Sequence, residues 1–352
     1  MERLDSGNFT AWKRPVNGAR GVVSELAFEV LCADEGGRGG ASKRLSVDFY
    51  AHQHRPLSLF EGAAGRQGLL IADEVGTGKT YSAGHILHDG LLKGRIRKAL
   101  ILCPARIAEK WGMTLKREFH LRCRVAGTGN HLRRWLEGDT NGFDVMVSSY
   151  DKGRATFEGE SMIEYMEGAF ARGDLEDLDL VIFDEVHNMI GSNPDESTIL
   201  RRRMAEVTSL LSRSRVGLTA TPIWRGTQDV VELADILKPL ATQGIDINAM
   251  MQQQRRVTRA VNLLRTENLD LGAWAIRWVK LRDSIGDSNL VAACDSARDM
   301  DPSKRIELSE RLAKFGPFAT WITRTRSVDV GKLAERIVPD ADLVDLEDRI
   351  RG

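Results

Sequence analysis

Residues 71–80, IADEVGTGKT, constrain the fold of this chain more than any other stretch. An apolar strand end runs into Gly76 and Gly78, and Lys79-Thr80 then opens a helix. Glycines permit the left-handed turns that other residues resist, so main-chain N–H groups can wrap a concavity of phosphate size at a helix start. In such a loop Lys79 reaches the β- and γ-phosphates, and the Thr80 hydroxyl reaches a magnesium ion. Asp73 departs from the general GxxxxGK[ST] pattern, standing where its first glycine is usual.

The surrounding sequence supplies the sheet that such a loop needs. Short apolar runs, GLLIA, KALILC, DVMVSS, LDLVIFD and RVGLTA, alternate with helical stretches between Val47 and Pro239. That alternation predicts an α/β fold: a mostly parallel sheet with helices on both faces and ligands at the strand ends. Residues 1–46 read as a lead-in, with helical spacing in GVVSELAFEVLCADE and a flexible joint in GGRGGASKR. After Leu240 the alternation stops, and residues 240–352 read as a mainly helical extension.

Charge names no partner in bulk, since 50 basic residues balance 50 acidic ones. Locally, ten Lys or Arg lie between Lys93 and Arg124 against two Glu, a strip that suits a phosphate backbone or a solvated face. The four cysteines lack CxxC or His-ligand spacing, which argues against zinc and disulfides and for a reducing cytoplasm. No apolar run has bilayer length, so no membrane partner is expected.

Two further strand ends carry chemistry. LVIFDEVHN places Asp184 to hold magnesium through water, Glu185 beside it to polarise an attacking water, and His187 at the sheet edge. RVGLTATPIW leaves the hydroxyls of Thr219 and Thr221 near a γ-phosphate. Together these place a triphosphate and its metal between an amine and a carboxylate at the ends of two neighbouring strands. Trp111 reads as a helix residue packed on the sheet rather than a platform for stacked bases.

Taken in order, DEVGTGKT, LILCPARIAEKW, VSSY, DEVH and LTATP resemble motifs I, Ia, Ib, II and III of superfamily 2 helicase-like ATPases. IADEVGTGKTYSAGHIL is similar to the motif I region of the bacterial Swi/Snf-type members, including the ATPase that recycles RNA polymerase. GLTATPIWRGTQDVVELADILKP and ITRTRSVDV resemble the run after motif III and the segment that closes the first lobe. The resemblance covers roughly Val47 to Val330 and implies a RecA-like P-loop lobe over residues 47–239, with ATP and Mg2+ as cofactors. It assigns Gln53 to adenine, Gly76, Thr77, Gly78 and Lys79 to phosphates, and Thr80 with Asp184 to magnesium. Glu185 activates water, and His187, Thr219 and Thr221 link nucleotide state to nucleic acid. Pro104, Ala105, Arg106, Ser148 and Ser149 lie along one strand of the nucleic acid, expected to be duplex DNA bound without sequence preference.

A motor of this family also needs motifs IV to VI on a second RecA-like lobe, whose arginine contributes about a thousandfold or more in rate. The sequence is therefore expected to be a first lobe that works with a second one, in trans or on a longer chain. QQQRRVTR, residues 252–259, faintly resembles motif VI but reads as a basic helix face. Two other readings stand beside the translocase: a strand-separating helicase or restriction-system motor, and an ATP-sensing module without turnover. Glu185 and Lys79 weigh against the last, because a pure binder has no use for a water-activating carboxylate.

Overall fold

The computed structural model describes residues 50–62, 67–157, 159–191, 194–220 and 227–325. The lead-in helix and joint, Thr221 and the residues just after it, and the stretch 326–330 of the lobe-closing segment lie outside the described residues.

The five apolar runs are all strands. They are β1 (Gly68–Ile71), β2 (Ala99–Cys103), β4 (Val145–Ser149), β7 (Leu178–Asp184) and β8 (Ser212–Leu218). Two short strands join them in one parallel sheet, β3 (Cys123–Val125) and β9 (Ile322–Thr323), in the order β3-β4-β2-β7-β8-β1-β9. A separate two-stranded hairpin pairs β5 (Thr156–Phe157) with β6 (Glu160–Ser161).

Period-two alternation splits the apolar strand residues between two cores. Leu69, Ile71, Ile101, Val147, Ile182 and Leu218 pack under α1 (Ala51–Glu61), α2 (Lys79–Leu92) and α3 (Ala105–Arg117). Leu70, Leu100, Leu102, Met146, Val181 and Phe183 face the other side. There α4 (Gly129–Leu136), α5 (Met162–Arg172), α6 (Glu196–Leu210) and α7 (Thr227–Leu237) cover them. Strands buried on both faces explain why they read as unbroken apolar runs.

Beyond the sheet, the described part of the extension is helical as expected, apart from β9. It comprises α8 (Ile247–Leu264), α9 (Leu271–Arg282), α10 (Ser288–Asp295) and α11 (Pro302–Ala313) around a core of their own. The helix α8 belongs to both bodies: Met250 and Met251 pack on the sheet-side core, while Val257, Val261 and Leu264 belong to the helical one. Trp274 and Trp278 stack at 5.5 Å inside that helical core, so the two tryptophans are packing residues.

Register sets the site. Asp184 on β7 pairs with Leu218 on β8, and Leu218 pairs with Ile71 on β1, so the strand ends that precede the glycine loop and carry Asp184 finish level. They are not neighbours, as the sequence led us to expect: β8 lies between them. Apolar alternation reports that a sheet is parallel but carries no information on strand order, and one intervening strand leaves about 10 Å between the two backbones.

Candidate active site

The glycine loop is shaped by two positive φ angles, +85° at Gly76 and +89° at Gly78. Gly78 is also the residue that caps α2, and a Cβ there would stand 2.2 Å from Gln53 Nε2. The backbone angle therefore favours glycine, and a side chain would also displace the Gln53 amide from the loop. Gly78 brings no capping side chain, so the N–H groups of the first turn, around Lys79 and half-buried Thr80, stay available to an anion.

The loop is braced from α1. Gln53 Nε2 donates to the Thr77 carbonyl at 3.2 Å, and His52 Nε2 lies 2.8 Å from the same oxygen. Gln53 Oε1 is buried and has no hydrogen-bond partner among the described residues. The helix is seated on α2 partly through the rings of His54 and His85, 3.9 Å apart. Burial, reinforced by a neighbouring histidine in each case, pushes their pKa values down to about 4 and about 3, so the seat is neutral at physiological pH.

Lys79 Nζ is held by two carbonyls of its own loop, Asp73 O at 3.0 Å and Glu74 O at 3.2 Å. Its charge is felt by both Asp184 and His187, so the amine and the carboxylate share one field. Asp184 is almost fully buried, and burial raises its pKa to about 6. Against that, Trp111 Nε1 donates to Oδ2 at 2.7 Å and the Glu185 N–H donates to Oδ1 at 2.9 Å. Tyr150 fixes the backbone by donating its hydroxyl to the Asp184 carbonyl at 2.9 Å. Glu185 sits in the left-handed region at φ 54°, an uncommon conformation for a residue with a side chain, and it turns the chain immediately after the strand.

His187 Nδ1 lies 2.9 Å from Thr219 Oγ1 and 3.3 Å from Glu185 Oε2. Burial lowers the His187 pKa, so the ring is neutral near pH 7. Thr219, itself fully buried, donates its N–H to the Ile71 carbonyl at 3.0 Å. The ends of β7, β8 and β1 are thus linked through the residues expected to couple nucleotide state to nucleic acid. Their companion Thr221 lies outside the described residues.

The candidate nucleic-acid residues divide. Ala105 and Arg106 are exposed and Pro104 is half-buried at the start of α3. Ser148 and Ser149 are buried, and the Ser148 hydroxyl donates to the Ser149 carbonyl, so neither offers a hydroxyl at the surface. The basic strip is also partly neutralised. Lys93 and Arg95 pair with Glu61 and Asp89, Lys98 with Glu176, and Arg122 with Asp144.

Sequence reasoning missed two residues. Trp111 is 1% exposed, which confirms packing over base stacking, but its indole N–H also orients the Asp184 carboxylate. Asp73 is fully buried, and its Oδ1 accepts the Thr325 N–H at 2.6 Å. Backbone bonds from Leu70, Ala72 and Glu74 to Trp321, Thr323 and Thr325 continue this lacing along β9. The departure from glycine at position 73 was the available signal; its partner lies 252 residues away. Asp73→Ala strands a buried N–H and should cost about 1–3 kcal/mol in urea unfolding, with Asp73→Asn costing less because it keeps an acceptor. Equal stability of wild type and Asp73→Ala would show that the latch contributes nothing.

Residues 52–255 match the SNF2-related domain family. The chain belongs to that family. Its α/β sheet and ordered motifs are those of a RecA-like, Swi/Snf-type helicase-like ATPase lobe. Among relatives, the RNA polymerase-associated protein RapA of Stutzerimonas stutzeri is 29% identical over 266 residues, covering 75% of this chain and 26% of RapA. RapA of Pectobacterium carotovorum is 27% identical over 252 residues, covering 69% and 24%. The chain thus spans about a quarter of the length of these relatives. Among solved structures, the Sulfolobus solfataricus SWI2/SNF2 ATPase core in complex with dsDNA is 17% identical at a TM-score of 0.43. That match covers 80% of this chain and 45% of the other.

Proposed function

We propose that this chain binds Mg–ATP at the glycine loop and serves as the first lobe of a DNA-dependent ATPase that tracks duplex DNA. The observation that carries the proposal is electrostatic and geometric. Lys79, Asp184, Glu185 and His187 share one field at level strand ends, with His187 hydrogen-bonded to Thr219.

The residues fit the group. Gly76, Thr77, Gly78 and Lys79 hold the phosphates, Thr80 and Asp184 hold Mg2+, and the unpartnered Gln53 Oε1 suits the role of adenine acceptor. The metal neutralises phosphate charge when bound. Glu185, part-exposed beside the site, orients the water and takes its proton. His187 and Thr219 transmit the state of the site to β8. Pro104, Ala105 and Arg106 contact the DNA backbone from the start of α3, which needs no base readout. Residues 47–239 carry the motifs of the lobe, and the described part of 240–352 is its extension, from which β9 returns to the sheet edge. The three described cysteines are free and buried, which supports a cytoplasmic setting. RapA is RNA polymerase-associated, and a transcription-linked setting is the corresponding proposal here.

Charge on the transferring phosphoryl group is normally met by an arginine from a second lobe, a contribution of about 10³-fold or more. The 352-residue polypeptide should therefore bind Mg–ATP yet turn it over near background, with or without duplex DNA. Glu185→Gln should leave binding intact and remove the residual turnover. Motor-like, DNA-stimulated rates from this polypeptide would overturn the need for a second lobe, and failure to bind ATP would overturn the site.

A further inference from the structure

The chain is charge-neutral overall, yet α8 and α9 depart sharply from that balance. Together they carry Arg255, Arg256, Arg259, Arg277, Lys280 and Arg282 and no carboxylate. Four of these cations, Arg256, Arg259, Arg277 and Lys280, converge with Ala273 and Ile276 on a groove of about 330 Å³. No acidic side chain lines it. Among the described residues, none of the four makes an ion pair, whereas Arg282, just beyond the groove, is paired with Asp295 at 3.0 Å.

The placement follows from helix geometry. Arg256 and Arg259 are three residues apart on α8, and Arg277 and Lys280 are three apart on α9, so each helix presents a pair on one face. The two helices are fixed by the core beneath, where Val257, Ala260 and Leu264 meet Trp274, Trp278 and Leu281. Four like charges held on a rigid frame repel one another, a cost that a stretch of evenly spaced negative charge relieves. The faint likeness of residues 252–259 to an arginine-finger motif therefore resolves differently. Arg256 and Arg259 face α9, not the glycine loop.

We infer that the α8–α9 groove is a second binding site for nucleic acid, gripping the phosphodiester backbone of a duplex outside the motif Ia surface. The inference rests on the DNA-tracking reading above and deepens it. Guanidinium and ammonium groups in a groove with few other polar groups recognise phosphate without reading sequence. Through this groove the helical extension holds the duplex while the lobe responds to nucleotide.

The test is a salt titration of duplex DNA binding by the whole chain, wild type against a variant carrying Arg256→Gln, Arg259→Gln, Arg277→Gln and Lys280→Gln. All four sites lie away from the nucleotide residues, so ATP binding and circular dichroism should match wild type and report an intact fold. Each phosphate contact contributes about 0.9 to the slope of log affinity against log salt. The variant should lose about 3.6 in slope and about tenfold or more in affinity at low salt. Paired variants on α8 or on α9 alone should each lose about 1.8. Unchanged slope and affinity in a folded variant would overturn the groove while leaving the DNA-tracking reading standing. No duplex binding by wild type would overturn both. Groove-dependent binding of polyglutamate, with duplex binding unaffected, would assign the groove to an acidic protein segment and overturn the inference.

Discussion

Lys79→Ala should abolish measurable Mg–ATP binding, lowering affinity by about 10²–10⁴-fold while leaving the fold intact. Among the described residues the amine is held by the carbonyls of Asp73 and Glu74, so its removal breaks two hydrogen bonds of a part-exposed group and opens no core cavity. Its charge, by contrast, acts where phosphate oxygens gather, and two charge-assisted hydrogen bonds there contribute about 1.5–3 kcal/mol each. Wild type and variant should have the same melting temperature without nucleotide, and only wild type should gain stability when ATP is added. Equal stabilisation of both by ATP would place the triphosphate somewhere other than this loop.

Asp184→Asn should gain stability relative to wild type as pH rises from about 4 to 7.5 in the ligand-free chain, because it removes a charge that burial disfavours. Burial holds the carboxyl at about 6, against an ordinary value of 3.8. A raised carboxyl stabilises the fold fully below the unfolded value, and that contribution is lost as pH rises through the folded one. Between about pH 4 and pH 6 the native chain binds the extra proton, so stability declines across that window and stays low above it. That displacement corresponds to roughly 3 kcal/mol. Asparagine removes the charge but keeps one acceptor oxygen, so its NH2 faces either Trp111 Nε1 or the Glu185 N–H, a penalty that does not vary with pH. In urea unfolding the stability of the variant relative to wild type should therefore rise by about 1–3 kcal/mol between about pH 4 and pH 7.5. A relative stability that stays constant across that range would mean that the buried charge is not held under strain.

On the proposed function, that strain has a use. A carboxylate kept poorly solvated in the absence of metal gains the most when a divalent ion arrives, so stability is given up at the position where binding energy is needed. The same trade is visible in the left-handed backbone of Glu185, the next residue.

Much of this was legible in the sequence because it is local. Five apolar runs became five strands since each is buried on both faces, and the glycine loop carries its own geometry in Gly76 and Gly78. The strands β3 and β9 escaped because three residues and two residues are too few to show a period; the sheet edge defines them. Strand order escaped because burial fixes how a strand is covered and not which strand lies beside it. The roles of Asp73 and Trp111 escaped for the same reason: their partners, Thr325 and Asp184, are distant in sequence and meet only in the folded chain. For α8, the basic face was readable, but the matching face on α9 that turns it into a groove was not.

The most direct test of the shared metal–triphosphate site is calorimetric titration of ATP into wild type and Asp184→Asn, each with Mg2+ and with EDTA. In EDTA the variant should bind ATP no more weakly than wild type, because a negative charge beside the phosphates has been removed. With Mg2+ wild type should tighten by about tenfold or more while the variant gains little. Equal Mg2+ gains in the two proteins would contradict the account, since the ion would then be held without the carboxylate at the end of β7.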